Sequence, residues 1–253
     1  METLRILNPF NASVYYMDTV DSTMNASRRL MLDGEPHGTV IAAGFQEEGR
    51  GRVQGRAWLM EKDMSLPFTI LLRYPYTEEI PAVLSLRTGL SVSLAIEDFA
   101  PSLINKVKVK WPNDIIINSK KAAGVLCEAD GGNVYIGIGI NVAQKEFPLP
   151  LADKAVSIAL AAGIDIAPEQ RFSLLEKVLM RLYTELVLAA DWNSHLDQRL
   201  YKKGEKVVFI EGAAGSGKEI KGCLTGISDN GELLILPDGE TSTRSFITGE
   251  LKL

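Results

Sequence analysis

Apolar and polar positions follow a strand-like period in some parts of the chain and a helical period in others. Runs rich in β-branched and aromatic side chains predict strands at residues 14–18, 39–46 and 65–73. Ser22 or Thr23 can cap a helix that Gly34 closes, because a hydroxyl accepts hydrogen bonds from the first backbone N–H groups of a helix. Between residues 78 and 99 the apolar positions recur at helical spacing, which predicts one long helix.

The middle and the end of the chain differ in the length and spacing of their predicted elements. Three further strands are predicted at residues 107–111, 122–129 and 134–142, with Gly131-Gly132 as a hairpin turn. Residues 168–201 are typical of one or two helices. Beyond them, short β runs alternate with turns at residues 206–210, 220–227, 232–236 and 242–247. This change predicts two domains, residues 1–203 and a small β-barrel at residues 204–253.

Composition and charge place the chain among ordinary globular proteins. It has 253 residues, 46% of them hydrophobic and 23% charged, and a formal net charge of −5. These values exclude a disordered chain and a protein that holds nucleic acid through bulk positive charge. Two cysteines are too few for a disulfide framework, which favours a reducing cytoplasm. Charges interrupt the most apolar stretches, residues 80–100 and 155–167, and the first residues lack a signal-like apolar run, so we expect neither a membrane span nor a targeting segment.

The densest chemical signal is a segment of glycines and arginines that ends at Trp58. Its three arginines are Arg50, Arg52 and Arg56. Such a loop can close over an anion, because guanidinium groups form planar forks that match phosphate and carboxylate. Trp58 can then serve as a stacking platform for a purine. A solvated surface loop and a core tryptophan are the alternative interpretations of these two features.

A second motif is Lys110-Trp-Pro-Asn-Asp114, with Lys121 in a predicted turn shortly after it. Strand alternation places Lys110 opposite the apolar positions. Pro112 keeps the residue before it extended and turns the chain, so Asn113 and Asp114 lie at a fixed corner. The Asp114 carboxylate can hold a hard cation such as Mg²⁺ through oxygen. The alternative is an ordinary Asn-Asp turn flanked by exposed lysines.

A third motif is the strand at residues 134–142, which has aliphatic side chains on one face and almost none on the other. Gly137 and Gly139 lie on the bare face. Because glycine inside a strand weakens it, the pattern indicates something that approaches the backbone closely. A flat ligand and a close-packed neighbouring strand both fit.

Taken together, five motifs resemble those of the biotin–protein ligases. In chain order they are Asp21-Ser22-Thr23, then Gln46 with Gly49-Arg50-Gly51-Arg52, Lys110-Trp-Pro-Asn-Asp114, Lys121-Ala-Ala-Gly124 and Gly137-Ile-Gly-Ile-Asn141. The resemblance implies an α+β fold in which helices pack on a mixed or antiparallel central sheet, as in class II synthetases. The tail resembles the small SH3-like barrel that closes these enzymes.

The resemblance also implies a two-step reaction. The carboxylate of biotin attacks the α-phosphate of Mg-ATP to give biotinyl-5'-AMP and pyrophosphate, and a lysine of a biotin carboxyl carrier domain then attacks the mixed anhydride. The implied partner is this carrier domain of a biotin-dependent carboxylase. We expect no nucleic acid or membrane partner, and we expect the chain to be a monomer or a homodimer.

Site residues follow by the same resemblance. Those implied to bind biotin are Ser22, Thr23, Met24, Gln46, Arg50, Gly51, Arg52, Lys121, Gly124 and Gly137. Lys121, Arg50 and Arg52 are the implied catalytic groups. The implied ATP contacts are Arg56, Trp58, Lys110, Asn113 and Asn141, with Asp114 as the magnesium ligand.

Several positions depart from the family pattern. Met24 stands where asparagine is common, and Val53-Gln54 lengthens the Arg/Gly loop. Strand-like residues begin near position 14, which predicts a ligase without the DNA-binding repressor function of some relatives. The alternatives are a lipoate–protein ligase or octanoyl transferase of the same superfamily and a non-catalytic biotin sensor or DNA-binding regulator. The Gly-Arg-Gly-Arg loop argues against the transferases, and a tail with more acidic than basic residues argues against DNA binding.

Overall fold

The computed structural model describes residues 1–53, 55, 57–188, 191–212 and 217–252. Eight strands form a large sheet: β1 (Glu2–Thr3), β2 (Val14–Val20), β3 (Val40–Gln46), β4 (Ser65–Arg73), β5 (Lys108–Lys110), β6 (Asp114–Ile117), β7 (Lys120–Asp130) and β8 (Asn133–Asn141). Five more form a small sheet: β9 (Lys206–Glu211), β10 (Lys218–Ile227), β11 (Leu233–Pro237), β12 (Arg244–Phe246) and β13 (Gly249–Leu251). The α-helices are α1 (Thr23–Leu32), α2 (Leu84–Phe99), α3 (Leu149–Ala152), α4 (Ile158–Ala162), α5 (Arg171–Val187) and α6 (Trp192–Arg199).

The large sheet is mixed. Its strand order is β1-β2-β3-β4-β8-β7-β6-β5, in which β2 and β3 pair in parallel and the other neighbours pair antiparallel. The predicted hairpin turn at Gly131-Gly132 joins β7 to β8, where Asp130 pairs with Asn133. The α+β class predicted from the sequence is therefore confirmed.

Helices cover the two faces of this sheet unequally. Alternate residues of β8, such as Ile136 and Ile138, pack in the main core with buried side chains of α2 and α5. The residue before Ile136, Tyr135, belongs to a smaller cluster on the other face with Met24 of α1. Because one face carries two long helices and the other a single short one, part of the α1 face is left for a binding site.

The small sheet shares a core with the large one. Its strand order is β12-β11-β10-β9-β13. Its buried Phe209 and Leu233 belong to one cluster with Leu90 of α2 and with Trp111, whose indole Nε1 donates a hydrogen bond to the Gly231 carbonyl at 3.0 Å. The boundary near residue 203 and the closure of these strands into an SH3-like barrel stay predictions.

The predicted long helix at residues 78–99 is wrong at its N-terminal end. A 3₁₀ turn (Thr77–Glu79) comes first, and α2 begins only at Leu84. Pro81 explains the break, since the residue before a proline is forced out of the helical region, and Ile80 has φ −64° and ψ 122°. Val83 then adopts a left-handed conformation with φ 57° as the N-cap of α2.

Other differences concern short elements. Residues 107–111, 122–129 and 134–142 are strands as predicted, within two residues at each end, but the sequence did not predict β6. Lys121, expected in a turn, lies in β7. The pairing of β6 with β7 shifts its register here: Ile115 pairs with Ala123, but the next residue, Ile116, pairs with Lys121. This local irregularity turns the Lys121 side chain out of strict alternation.

The segment Thr77–Phe99 is long and apolar enough by composition to cross a membrane. In the fold, however, α2 packs against α5 and against strands of the large sheet, and most of its residues from Leu86 to Glu97 are buried. Its apolar composition is therefore explained by its place in the core.

Candidate active site

A cavity opens on the α1 face of the large sheet. The residues that line it come from α1, β3, β7, β8 and the Arg/Gly loop: Ser22, Thr23, Met24, Gln46, Arg50, Gly51, Arg52, Trp58, Asn113, Lys121, Gly124, Val125, Leu126, Gly137, Ile138 and Gly139. All ten residues assigned to biotin by resemblance are among them. The fold thus brings together positions that lie more than a hundred residues apart in the chain.

One end of the cavity, the neutral end, is formed by Ser22, Thr23 and Gln46. Ser22 is the N-cap of α1, and its hydroxyl accepts a hydrogen bond from the Met24 N–H. The Gln46 side-chain oxygen accepts two, from the Thr23 N–H at 2.8 Å and from the Thr23 hydroxyl at 3.0 Å. The hydroxyl of buried Thr69 donates to that of Thr23 at 2.9 Å. Because these partners fix the Gln46 oxygen, its amide group has a set orientation in the cavity.

The floor of the cavity is the glycine face of β7 and β8, and side chains cover it. A Cβ atom on Gly137 would lie 2.8 Å from the Met24 sulfur, and one on Gly139 would lie 2.7 Å from the Trp58 indole. The expectation of a bare face met by a ligand or another strand therefore needs correction. The glycines make room for Met24 and Trp58, which themselves line the cavity.

Trp58 separates this cavity from a second one. It lines both, and its buried Nε1 has no hydrogen-bond partner among the residues that the structure describes. The Lys121 ammonium lies 5.7 Å from the centre of the indole ring. A buried N–H donor without a partner is costly, so this atom is a candidate contact for a ligand acceptor.

The second cavity forms the charged end of the site, defined by Arg52, Lys110, Asp114 and Lys121. The Asp114 carboxylate lies 2.6 Å from the Lys121 ammonium and 3.9 Å from that of Lys110. Lys110 is only 3% exposed, so the alternative of an exposed lysine beside a surface turn is wrong for this residue. The lining of this cavity carries the cations Arg52, Lys110 and Lys121 against the carboxylates of Asp114 and Glu250, so positive charge is in excess there.

Asp114 is a poor fit to a resident metal ion in this arrangement. Its carboxylate is paired with two ammonium groups, which repel a divalent cation. In residues 1–53, 55, 57–188, 191–212 and 217–252, no group of three or more His, Cys, Asp or Glu side chains could hold a metal ion. The magnesium site stays a prediction.

The two ends of the Arg/Gly loop, which runs from residue 49 to residue 58, pair with each other. Arg50 and Ala57 form an antiparallel bridge, and the Trp58 N–H donates to the Gly49 carbonyl at 2.8 Å. Arg52 reaches the small sheet, where its Nη2 donates to the Gly249 carbonyl of β13 at 3.0 Å. Arg56, the other predicted arginine of the loop, lies outside the described residues.

The two predicted asparagines differ in position. Asn113 lines both cavities, and its side-chain nitrogen donates to the Val125 carbonyl at 2.8 Å. Asn141 lines neither of these cavities; its side-chain nitrogen donates to the Val156 carbonyl at 3.3 Å and approaches that of Lys121 at 3.5 Å. It therefore supports the backbone that carries Lys121, and its direct contact with ATP stays a prediction.

The sequence interpretation missed two contributions to the site. One is Glu128 of β7, which binds Arg50 and Arg28 of α1. It follows Gly124 by four residues on the same strand face, a signal that period-two alternation contained. The other is β13, which supplies the Gly249 carbonyl and places Glu250 on the wall of the second cavity. No local pattern connects these residues to the Arg/Gly loop.

Comparisons with known proteins agree with this geometry. The model of the biotin/lipoate A/B protein ligase family matches residues 16–143, just over half of the chain. The chain belongs to this family. The resemblance to biotin–protein ligases that the motifs indicated is thereby confirmed.

Three relatives illustrate the similarity. The biotin–[acetyl-CoA-carboxylase] ligase of Paracoccus denitrificans is 30% identical over 85% of this chain and 90% of its own. The bifunctional ligase/repressor BirA of Bacillus subtilis is 34% identical over 65% of this chain, a match that spans about half of that relative's length, 51%. A solved structure of biotin protein ligase from Aquifex aeolicus in complex with biotin and ATP is 31% identical, with a TM-score of 0.79 over 94% of this chain and 97% of that chain.

Proposed function

We propose that the chain is an ATP-dependent biotin–protein ligase. It activates biotin to biotinyl-5'-AMP, releases pyrophosphate, and transfers the biotinyl group to a lysine of a biotin carboxyl carrier domain. The observation that carries the proposal is the convergence of Arg50, Arg52 and Lys121 on one cavity whose opposite end is neutral and hydrogen-bonding. Membership of the ligase family and similarity to a ligase solved with biotin and ATP support it.

The neutral end suits the uncharged head of biotin. A ureido group has one carbonyl acceptor and two N–H donors, so it needs both kinds of partner from the protein. Ser22, Thr23 and Gln46 offer hydroxyl and amide groups in fixed positions. Met24 supplies an adaptable apolar wall over Gly137, against which a thioether ring can pack.

The charged end suits the reacting anions. The carboxylate of biotin and the α-phosphate of ATP must approach each other although both are negative, and cations that offset this repulsion also stabilise the charge that develops during attack. Lys121 stands where the two cavities meet, because it lines both. We assign it to the reacting carboxylate and phosphate, with Arg50 and Arg52 over the intermediate and with Trp58, Lys110 and Asn113 on the nucleotide side.

The second step requires little further chemistry from the enzyme. Acyl adenylates are activated, so transfer to an amine depends mainly on holding the two reactants together. The reactive intermediate must also be protected from water until the carrier lysine arrives. The Arg/Gly loop can supply this protection, since Arg50, Gly51 and Arg52 line the cavity and Arg50 and Arg52 are tied to the two sheets.

The rival functions are less well supported. A lipoate–protein ligase or octanoyl transferase belongs to the same matched family, but the Paracoccus denitrificans relative and the Aquifex aeolicus structure are both named as biotin ligases. We also propose that the chain acts in the cytoplasm without a DNA-binding repressor function.

The decisive test is incubation of the protein with biotin and Mg-ATP, followed by mass spectrometry of the bound ligand. We expect biotinyl-5'-AMP and stoichiometric release of pyrophosphate. Calorimetric titration with biotin and with lipoate provides the comparison. Tighter binding of lipoate, or no adenylate with biotin, would overturn the proposal.

A further inference from the structure

Glu128 lies on β7, the strand that carries Gly124 of the cavity floor, and contacts Arg50 of the cavity lining. Residues 124, 126 and 128 of β7 share a face. The Oε2 atom of Glu128 lies 2.7 Å from Nη2 of Arg28 and 3.4 Å from Nη2 of Arg50. One carboxylate oxygen therefore joins a helix residue to the first arginine of the Arg/Gly loop.

Arg28 is fixed from two sides. Its guanidinium carbon lies 4.3 Å from the centre of the Tyr135 ring, a cation–π distance, while its Nη2 holds Glu128. Tyr135 is fully buried in β8 and pairs with Glu128 in the β-ladder. The chain of contacts Tyr135–Arg28–Glu128–Arg50 thus ties the loop to the same two strands that form the cavity floor.

The two ion pairs of Glu128 differ in a way that permits exchange. The distance from Glu128 to Arg50, 3.4 Å, is longer than its distance to Arg28, 2.7 Å. The Arg50 side chain is also more exposed, at 44% against 32% for Arg28. If Arg50 turned to an anion in the cavity, Glu128 would keep Arg28 and would not be left unpaired, which is the usual cost of breaking such a contact. Arg50 itself lines the cavity, so it is within reach of both partners.

We propose that Glu128 is a positioning residue for Arg50. It holds the guanidinium beside the cavity before ligands bind, and it releases the guanidinium to the biotin carboxylate when they do, while Arg28 keeps Glu128 neutralised and in place. This inference rests on the proposed function. Preplacing Arg50 lowers the entropy lost when the loop closes, so the effect belongs to substrate binding more than to the chemical step.

The test is a double-mutant cycle between Glu128→Gln and Arg50→Ala, read out by the KM for biotin and the kcat of pyrophosphate release. Glutamine keeps the size of the side chain and removes its charge. We expect Glu128→Gln to raise the KM about three- to fivefold, the size expected of one exposed ion pair, and to change kcat less than about twofold. In the Arg50→Ala background, Glu128→Gln should have no further effect.

Controls separate positioning from general damage. Asp98→Asn breaks a comparable, partly exposed pair with Arg181 far from the cavity and should leave the KM unchanged. Trypsin should cut the ligand-free Glu128→Gln variant faster after Arg50 than wild type, and Glu128→Asp should restore part of the protection. An unchanged KM, or an equal effect in the presence and absence of Arg50, would refute the role of Glu128. Failure of wild type to bind biotin would instead refute the proposed function.

Discussion

The two ends of the active-site cavity are built on different principles. At the neutral end, Thr23, Gln46 and Thr69 satisfy one another through hydrogen bonds, and the first and last are almost fully buried. At the charged end, Lys121 and Asp114 satisfy one another through an ion pair. A ligand can use the first set without disturbing it, whereas it must compete with Asp114 for the second. The comparison indicates that the neutral end selects the ligand and that the charged end responds to it.

Loss of Lys121 should have the largest effect, because it removes the cation at the junction of the two cavities. We expect Lys121→Ala to slow pyrophosphate release about 10²- to 10³-fold, the size typical of a lost electrostatic contact in a transition state, while the Kd for biotin changes far less. The matched control is Lys120→Ala: this neighbour donates to the Ala152 carbonyl and lines neither cavity. Similar rates in both variants would show that the charged end does not act on the reaction.

Loss of the Gln46 amide should break the neutral end. Gln46→Leu leaves the backbone N–H and the hydroxyl of Thr23 without their acceptor, which costs about 1–3 kcal/mol of stability. We expect a loss of that size in the free energy of unfolding and a rise of about tenfold or more in the Kd for biotin, measured by urea titration and calorimetry. Adding Thr23→Val together with Thr69→Val, so that neither hydroxyl is left without a partner, should recover part of the stability but none of the affinity. Recovery of affinity would mean that Gln46 acts only on the fold.

Salt should distinguish the two ends without any substitution. Attraction between partly exposed charges weakens as ionic strength rises, whereas hydrogen bonds between neutral groups do not. We expect the Kd for ATP to rise several-fold between about 50 mM and 500 mM NaCl and the Kd for biotin methyl ester, which lacks the carboxylate, to stay nearly constant. Parallel slopes in calorimetric titrations would contradict the division into a neutral and a charged end.

Asp21 offers the smallest and most local test, because it supports the start of α1 from outside the cavity. The hydrogen bonds from the Arg29 side chain, followed by those from the Ser22 backbone and Asn25, hold the pKa of the Asp21 carboxyl well below its usual range. A lowered folded-state pKa contributes stability that is fully present above the unfolded pKa of about 3.9 and is lost as the pH falls.

Asp21→Asn should therefore lower the free energy of unfolding at pH 6 by less than about 1 kcal/mol, as expected for a partly exposed pair. The difference from wild type should shrink as the pH falls below about 4. Urea denaturation at pH 3, 4, 5 and 6 measures it. A difference that is independent of pH would assign the effect to the cap geometry instead of to the charge.

Features that depend on neighbouring residues were predictable from the sequence. Ser22 as the helix cap, the Gly131-Gly132 turn and the exact bounds of β4 follow from local signals, and the order of the motifs identified the family and the ten cavity residues. The late start of α2 was also encoded locally, by Pro81, but the apolar spacing masked it.

Features that depend on distant contacts were not predictable. The burial of Lys110 requires the small sheet and the Arg/Gly loop to close around its strand, which alternation along that strand does not show. The hydrogen bond from Arg52 to Gly249 spans 197 positions of the chain. The coverage of the glycine floor by Trp58 depends on how the loop folds back, and a tryptophan in the core or over a ligand looks the same in sequence.

The hydrogen bond from Trp111 to Gly231 has a practical consequence for anyone who shortens this chain. Trp111 precedes the Pro-Asn-Asp corner of the active site, and the last fifty residues shield its ring through Phe209 at 6.0 Å. A protein cut at position 203 would expose that ring together with Leu86 and Leu90 to water. Inactivity of such a fragment would report a collapsed or aggregated core and would say nothing about whether the tail touches substrate.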